Sequence, residues 1–534
     1  MISNKRPIQQ LTRLLLAHGI EQAVLCPGSR NAPINYSLSQ HLNCHAITDE
    51  RCAGFFALGL SRSTHKPVCV VVTSGSALVN LHPAVCEAYY QQVPLIVVSA
   101  DRPRQWIGQM DGQTMPQPGV FGSMVKCSVD LDEQNAPFNN RLINEALLEA
   151  WHRTKGPVHI NLPLSEPLYE FQDKRLPEER VISRTEGLYE AQEAALSTLF
   201  HRFNRPLIII GQSEERIHLS DLTKRVTILA EHLANCPDAL LLNDDSMDQL
   251  EALDADKSPD LVVTLGGHII NKRLKQWLRK LAQQTHSSQP SSEGVPRLQH
   301  WHVSADGAIA DLFGCLTRVV EAPLCLFLRF LSSATQEATH HRLLLSEQPC
   351  GEATVVLRSA MPTLDEQAVA LLIRHLPAQS VLHLANSSSV RLAQRFALPP
   401  DTDVCCNRGI NGIEGCLSTA VGAAIATPLR AHFIVIGDLA FHYDINALWN
   451  DQLPANLHIL LLNNHGGRIF DTLPVPKEDK AQRFIAGNAH PFRADSLCQH
   501  FGMRHFYSSS SNELDATMQD FLSCQHCCLL EIHS

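Results

Sequence analysis

Two short stretches near the end of the chain carry residue types that hold a divalent cation beside a phosphate. Gly437-Asp438 closes the apolar run Phe433-Ile434-Val435-Ile436, and Asn463-Asn464 closes the next such run, with Gly466-Gly467 following. As neighbouring strands of a parallel sheet, both runs would end on its carboxyl edge, where ligands bind. The Asp438 carboxylate, the Asn464 amide oxygen and a backbone carbonyl near Gly466 are hard oxygen donors. With phosphate oxygens and water they suit octahedral Mg²⁺. The glycines let the backbone approach an anion, and a helix starting at Asp438 would add free N–H groups. A Gly-Asp turn beside an Asn-rich loop is the purely structural alternative; the coupling of two strand ends argues for a site.

Glu50 is the second centre. It precedes Arg51-Cys52-Ala53-Gly54-Phe55-Phe56, a run that would bury one helix face and so keep a carboxyl group able to hold a proton. Raising a glutamate pKa by ~3 units costs roughly 4 kcal/mol, which apolar surroundings impose. An isolated acid in a first helical turn is more often solvated and favoured by the macrodipole. The third centre is a scattered basic set: Arg30, Arg102, Lys272, Arg273, Arg391 and Arg408. Guanidinium groups grip carboxylates bidentately, so their convergence would suit acidic substrates in a protein of net charge −10. Each one alone reads as a surface charge.

The elements that must position these residues alternate along the chain. Ala23–Cys26, Val68–Thr73, Pro94–Ala100 and Val158–Leu162 read as buried strands, with helical spacing over Asp49–Arg62, Ala77–Tyr90 and Leu142–Arg153. Pro206–Gly211, Asp260–Gly266 and Gln299–Ser304 continue the pattern, then Ser380–Ala385, Ala431–Gly437, Leu457–Asn463 and His526–Ile532. Such alternation predicts an α/β chain of three doubly wound parallel-sheet domains. The domains are expected over 1–180, 188–345 and 354–534. A charged linker at Gln172–Gly187 and a weaker one at Glu347–Ala353 would separate them, and the polar run after Leu281 reads as an exposed loop.

Composition narrows the class. The 534 residues suggest three or four domains. The 44 Lys+Arg against 54 Asp+Glu argue against a nucleic-acid protein working by bulk electrostatics. No apolar run reaches the length of a membrane span, and the first residues lack a secretory pattern, so a soluble cytoplasmic protein is expected. An odd count of 17 cysteines fits free thiols. Cys524, His526, Cys527 and Cys528 would form half of a zinc site, with Cys405-Cys406 as the other half. Their strand-like apolar surroundings favour buried core thiols instead.

The paired Gly-Asp and Asn-Asn stretches resemble the metal–diphosphate signature of thiamine-diphosphate-dependent enzymes. GDLAFHYDINAL and LLNNHGGRIFDTLPVP are similar to the synthase branch that serves menaquinone biosynthesis. So are CPGSRNAPI, DERCAGFFALGL, TSGSALVNLHPAVCEA, SADRP, QPGVF, NKRLKQW, NSSSVR and NRGINGIEG, in chain order. The likeness is nearly end to end and weakest in the middle domain. It implies an N-terminal pyrimidine-binding domain, a central α/β domain and a C-terminal diphosphate- and metal-binding domain.

For the site, the resemblance implies that Glu50 bonds N1′ of the cofactor's aminopyrimidine. It adds Ser74, Gly75, Ile413, Gly437, Asp438, Leu439, Asn464, Gly466, Gly467, Ile469 and Phe470 as cofactor contacts, Ile413 propping the bent cofactor. Asp438, Asn464 and Gly466 would hold Mg²⁺, or Mn²⁺ in its place. Arg391 and Ser387 would hold 2-oxoglutarate, and Arg30, Arg102 and Arg273 isochorismate, with Ser29, Gln113, Lys272 and Arg408 in the same site. The resemblance implies decarboxylation of 2-oxoglutarate and conjugate addition of the succinyl-semialdehyde unit to isochorismate, in a homodimer or a tetramer of two such dimers. Gly112 and His465 depart from the pattern, where asparagine is common. The alternatives are another 2-oxoacid decarboxylase or acetohydroxyacid synthase on the same cofactor, and a non-catalytic scaffold on a decayed enzyme fold. A nicotinamide enzyme is disfavoured because no Gly-x-Gly-x-x-Gly follows a strand.

Overall fold

The computed structural model describes residues 1–172, 175–182, 193–287, 298–308, 310–336, 341–343, 345, 362–450, 453–467, 484 and 490–534. They include three six-stranded sheets and a short antiparallel ribbon, Ile2–Ser3 with Phe171–Gln172. The chain forms two compact units: Met1–Thr185 with His383–Ser389 and Cys406–Ser534, and Glu186–Leu382 with Val390–Cys405. Among the described residues no helix is long and apolar enough to cross a membrane.

In the first sheet the strands lie side by side as Asn43–Ala46, Gln22–Leu25, Val68–Val72, Leu95–Asp101, Val158–Pro163 and Cys127–Asp130, all parallel. Val68–Val72 is buried at every residue because helices cover both faces. Numbered along the chain, this order is 2-1-3-4-6-5, and the third sheet has the same order. In that third sheet His432–Gly437 pairs with Leu457–Asn463, which pairs with Cys528–His533. The middle sheet runs 3-2-1-4-5-6, with Pro206–Ile210 beside Leu261–Leu265 at its centre.

Helix Glu50–Thr64 is the joint of the first unit. Asp49 caps it, accepting from the Arg51 and Cys52 N–H groups at 2.9 and 3.2 Å. It crosses helix Cys416–Ala426 with the backbones in contact. A Cβ at Gly59 would stand 2.1 Å from Thr419 O, and one at Gly422 would stand 2.2 Å from Phe56 O. Glycine is what lets the two helices meet this closely. One buried cluster therefore runs from Val70 and Val97 through Phe56 and Val421 to Ile434 and Leu461.

Several expected elements differ. Ala77–Tyr90 is two helices, Ser76–Asn80 and His82–Gln91, because Pro83 starts a new first turn. The helix expected at Leu142–Arg153 spans Ala136–Glu149, capped by Asn135. Its cap and Pro137 were the start signal. The helix Lys272–Ser287 continues through Gln283 and Gln284, so the first part of the run expected as an exposed loop is helical. Glutamine is a good helix former, and polarity alone did not mark an end.

The charged stretch expected as a linker is partly tied down. Glu178 pairs with Arg13 at 2.8 Å, Glu179 pairs with Arg6, and the Ile182 N–H donates to Asn144 Oδ1 at 2.9 Å. The Glu347–Ala353 linker lies outside the described residues. Strands Asn43–Ala46, Cys127–Asp130 and Leu316–Glu321 had no apolar run to announce them: they are half-exposed sheet edges.

Candidate functional site

The Gly437 and Asn463 strand ends do share one edge, in register: Gly437 stands opposite Leu462. Asp438 is 3 % exposed and opens the short helix Asp438–Tyr443. Its Oδ1 accepts from the Leu439 N–H at 2.7 Å and its Oδ2 from the Gly466 N–H at 2.8 Å. One carboxylate thus ties the two strand ends together. His490 Nε2 stands 3.2 Å from the same Oδ2. Asn464 Oδ1 is buried and, among the described residues, accepts no hydrogen bond. Leaving such an acceptor unmet costs about 1–3 kcal/mol, and a hard cation would satisfy it. Carboxylate, amide and backbone oxygens are the donor set of Mg²⁺ or Mn²⁺, so these residues fit the metal.

His465 is fixed rather than loose. Its Nδ1 faces His490 O at 2.8 Å, which requires a proton there. Its Nε2 then accepts from His533 Nε2, whose Nδ1 accepts from the Tyr507 hydroxyl at 2.8 Å. The chain pins the turn after Asn464. Ile469 and Phe470 lie outside the described residues, while Leu439, Gly466 and Gly467 are half-buried around Asp438.

Glu50 is the first residue of its helix, half-buried, with Asn80 Nδ2 donating to Oε2 at 3.2 Å. The expected apolar surround begins only at Cys52. Its neighbours are held more firmly than Glu50 itself. Asp49 accepts from Asn446 Nδ2 at 2.8 Å, and Arg51 donates to Tyr443 O at 2.8 Å. No described hydrogen bond or ion pair joins Glu50 to Asp438, Asn464 or Gly466.

At the carboxyl ends of Gln22–Leu25 and Val68–Val72 lie Ser29–Arg30 and Ser74–Gly75, the switch point of the first sheet. Gly75 has φ +81° and ψ −134°, a conformation for glycine alone. Its N–H donates to Gln117 Oε1 at 2.8 Å, and Gln117 Nε2 donates to Asn161 Oδ1 at 2.8 Å. Arg30 is 5 % exposed, donates to Leu164 O at 2.9 Å and stands 3.2 Å from Glu166. Burial and then the charge of Arg102 pull its pKa down, and Arg102 itself stands 3.6 Å from Asp111. Gln113 is exposed on the same loop as Gly112.

The remaining basic residues form two groups. In the first unit, Arg408 donates to Asn386 Oδ1 at 3.0 Å, beside Ser387. The turn after Arg408 is held by Glu87, whose carboxylate accepts from Gly409 and Ile410 N–H at 2.8 Å each. Ile413 follows, 36 % exposed. In the second unit, Lys272, Arg273 and Arg391 line a single cavity of about 350 Å³ with Arg395 and Glu231. Arg273 pairs with Asp248 and Glu251 at 2.8 Å, and those hydrogen bonds hold its pKa up. Lys272 and Arg273 open a helix, and Arg391 lies within Ser388–Ala393, so none of the three is in a loop.

Cys524, Cys527 and Cys528 are buried, and burial pushes the Cys527 thiol up to about 12; the described cysteines are free. Gln117, Glu87 and His490 were not singled out from the sequence. The first two sit inside the quoted stretches QPGVF and TSGSALVNLHPAVCEA; His490 has no local signal.

Residues 8–122 match the family described as thiamine pyrophosphate enzyme, N-terminal TPP binding domain, and residues 387–532 its C-terminal TPP binding domain. Fold and site thus define a thiamine-pyrophosphate enzyme. A solved structure, the Rhodococcus jostii RHA1 thiamine diphosphate-dependent 4-hydroxybenzoylformate decarboxylase, shares the fold. Its TM-score is 0.73 at 20 % identity, over 99 % of each chain.

Among curated proteins, the 2-succinyl-5-enolpyruvyl-6-hydroxy-3-cyclohexene-1-carboxylate synthase of Phocaeicola vulgatus is 46 % identical, over 98 % of this chain and 94 % of that one. Proteins of the same name from Bacteroides thetaiotaomicron and Desulfotalea psychrophila are 44 % and 36 % identical, each over 98 % of this chain, and over 94 % and 96 % of their own lengths. The chain belongs to the 2-succinyl-5-enolpyruvyl-6-hydroxy-3-cyclohexene-1-carboxylate synthase family.

Proposed function

We propose that this synthase decarboxylates 2-oxoglutarate and adds the succinyl-semialdehyde unit to the ring alkene of isochorismate, a conjugate addition in menaquinone biosynthesis. The observation that carries the reading is the cation-ready strand edge of Asp438 and Asn464, in a chain that also gathers basic residues for acidic substrates. Bound thiamine diphosphate supplies the electron sink for the pair left when CO₂ departs.

The chain's own residues divide the work. Asp438, Asn464 and the Gly466 backbone hold Mg²⁺ or Mn²⁺ and, with Gly437, Leu439 and Gly467, the diphosphate. Ser74, Gly75, Ile413, Ile469 and Phe470 seat the rest of the cofactor. Glu50 holds the proton exchanged at the aminopyrimidine N1′. Arg391 and Ser387 grip 2-oxoglutarate; Arg30, Arg102 and Arg273 grip isochorismate, with Ser29, Gln113, Lys272 and Arg408 completing the polar lining. The site forms in a homodimer, each copy covering the Glu50 of the other. The one-third exposure of Val79 and Ile413 and the half exposure of Trp449 support such cover. The three domains are 1–180, 188–345 and 354–534, working in the cytoplasm.

The test is mass detection of the coupled product from 2-oxoglutarate and isochorismate, following CO₂ with and without the second substrate. Cofactor-free protein is the control. CO₂ release without adduct would identify a simple decarboxylase instead.

A further inference from the structure

Lys272 and Arg273 stand at the start of a helix whose entry is set from another strand. Strand Thr227–Ala230 is followed by Glu231, which is 3 % exposed and lines the cavity that Lys272, Arg273 and Arg391 share. Its Oε2 accepts from the Ile270 N–H and its Oε1 from the Asn271 N–H, each at 2.6 Å. Asn271 in turn accepts the Leu274 N–H at 2.9 Å, closing the first turn of helix Lys272–Ser287. Both oxygens of one buried carboxylate are thus aligned on two consecutive backbone donors immediately before the basic pair. Such charge-assisted bonds are short and directional.

The usual ligand crevice of the middle sheet is closed at the same edge. The Gly211 N–H donates to Leu265 O and the Gly267 N–H to Gln212 O, each at 2.8 Å, and a Cβ at Gly211 would meet Gly267 O at 2.1 Å. The cavity therefore opens one strand to the side, at the Glu231 end.

We infer that Glu231 is a positioning residue: its carboxylate fixes the 270–271 turn and so aims Lys272 and Arg273 into the cavity. This rests on the reading of those two residues as substrate contacts. A competing role has the opposite sign. Were Glu231 only a negative charge opposing the basic cluster, neutralising it would tighten the binding of an acid.

The test measures kcat and KM for both substrates in the wild type, Glu231→Gln, Lys272→Ala and the double variant, with urea unfolding of each. Glutamine keeps the shape but presents one acceptor oxygen to two donors. The expected result is a KM raised tenfold or more for one acidic substrate, kcat within about twofold, and a double variant whose loss is smaller than the product of the two single losses, since only the aim of Arg273 is left to disturb. A lowered KM overturns the inference, as do multiplying effects in the double variant or a fall in kcat that tracks lost stability. A wild type that forms no adduct fails the functional reading instead, and would be seen before any variant is made.

Discussion

Asp438 and Glu50 are the two carboxylates on which the proposed chemistry turns, and a single chain treats them differently. Asp438 is buried and accepts two backbone N–H groups, one from each strand end it joins. Glu50 is half-buried and meets one exposed amide at 3.2 Å. The Asp438 end, proposed to hold the metal, is preorganised by backbone that the chain supplies to itself. At the Glu50 end the fold fixes Asp49 and Arg51 on either side and leaves Glu50 half-buried with a single described hydrogen bond. Desolvation raises the proton affinity of a carboxyl group, so under the proposed reading Glu50 acquires its function when a second copy covers it.

The strongest way to break this contrast is Glu50→Gln. It should lower kcat by about 10³, in the range for loss of a general acid–base, while the metal dependence of any residual activity is unchanged. An unaffected rate would remove Glu50 from the mechanism. Asp438→Asn should cost at least about a hundredfold, with part of the loss restored by raised Mg²⁺, since even outer partners of a metal ligand are worth 10–100-fold. A loss insensitive to metal would point to misfolding of the strand edge. Dilution sharpens the comparison further. Specific activity should fall with the dimer fraction seen in sedimentation, and a fully active monomer would refute the shared site.

Smaller effects test the supports. Gly422→Ala should destabilise the first unit by about 1–3 kcal/mol, the cost of overpacking, because its Cβ would press on Phe56 O and tilt the helix that carries Glu50. An unchanged urea midpoint would show that the crossing yields easily. Beneath the Gly75 turn, His159 shares Ser99 with Asn161, and burial lowers its pKa to about 4. An unfolded histidine binds a proton near pH 6.5, so stability is lost as pH falls, by about 2 kcal/mol between pH 7 and 5. Asp444 has the reverse sign: burial raises it to about 6, so its contribution falls as pH rises from about 4 to 6. Urea midpoints for His159→Asn and Asp444→Asn across pH should therefore shift in opposite directions relative to wild type; parallel curves would remove both groups from the account.

Much of this was legible in the residues. The Asp438 and Asn464 strand ends lie where alternation and Gly-Asp punctuation put them, and Leu457–Asn463 and Gln299–Ser304 keep their expected bounds. Edge strands such as Asn43–Ala46 were not legible, because a half-exposed strand needs no apolar run. The buried acids Glu87 and Glu231 were equally silent, since each serves backbone N–H groups far along the chain rather than its own neighbours.

The sequence by itself determined the chemistry available: a hard-oxygen strand edge, a glutamate opening an apolar helix, and a scattered set of basic residues, all within parallel α/β units. Only the tertiary structure decided how the basic residues divide, with Arg30 held at Leu164 and Glu166, Arg408 beside Asn386, and Lys272, Arg273 and Arg391 around one cavity. It also decided that Asp438 is enclosed while Glu50 stays half open. Periodicity and turn residues act over a few positions and are written locally. Burial and convergence depend on which distant segments pack together, and no short stretch of chain encodes that.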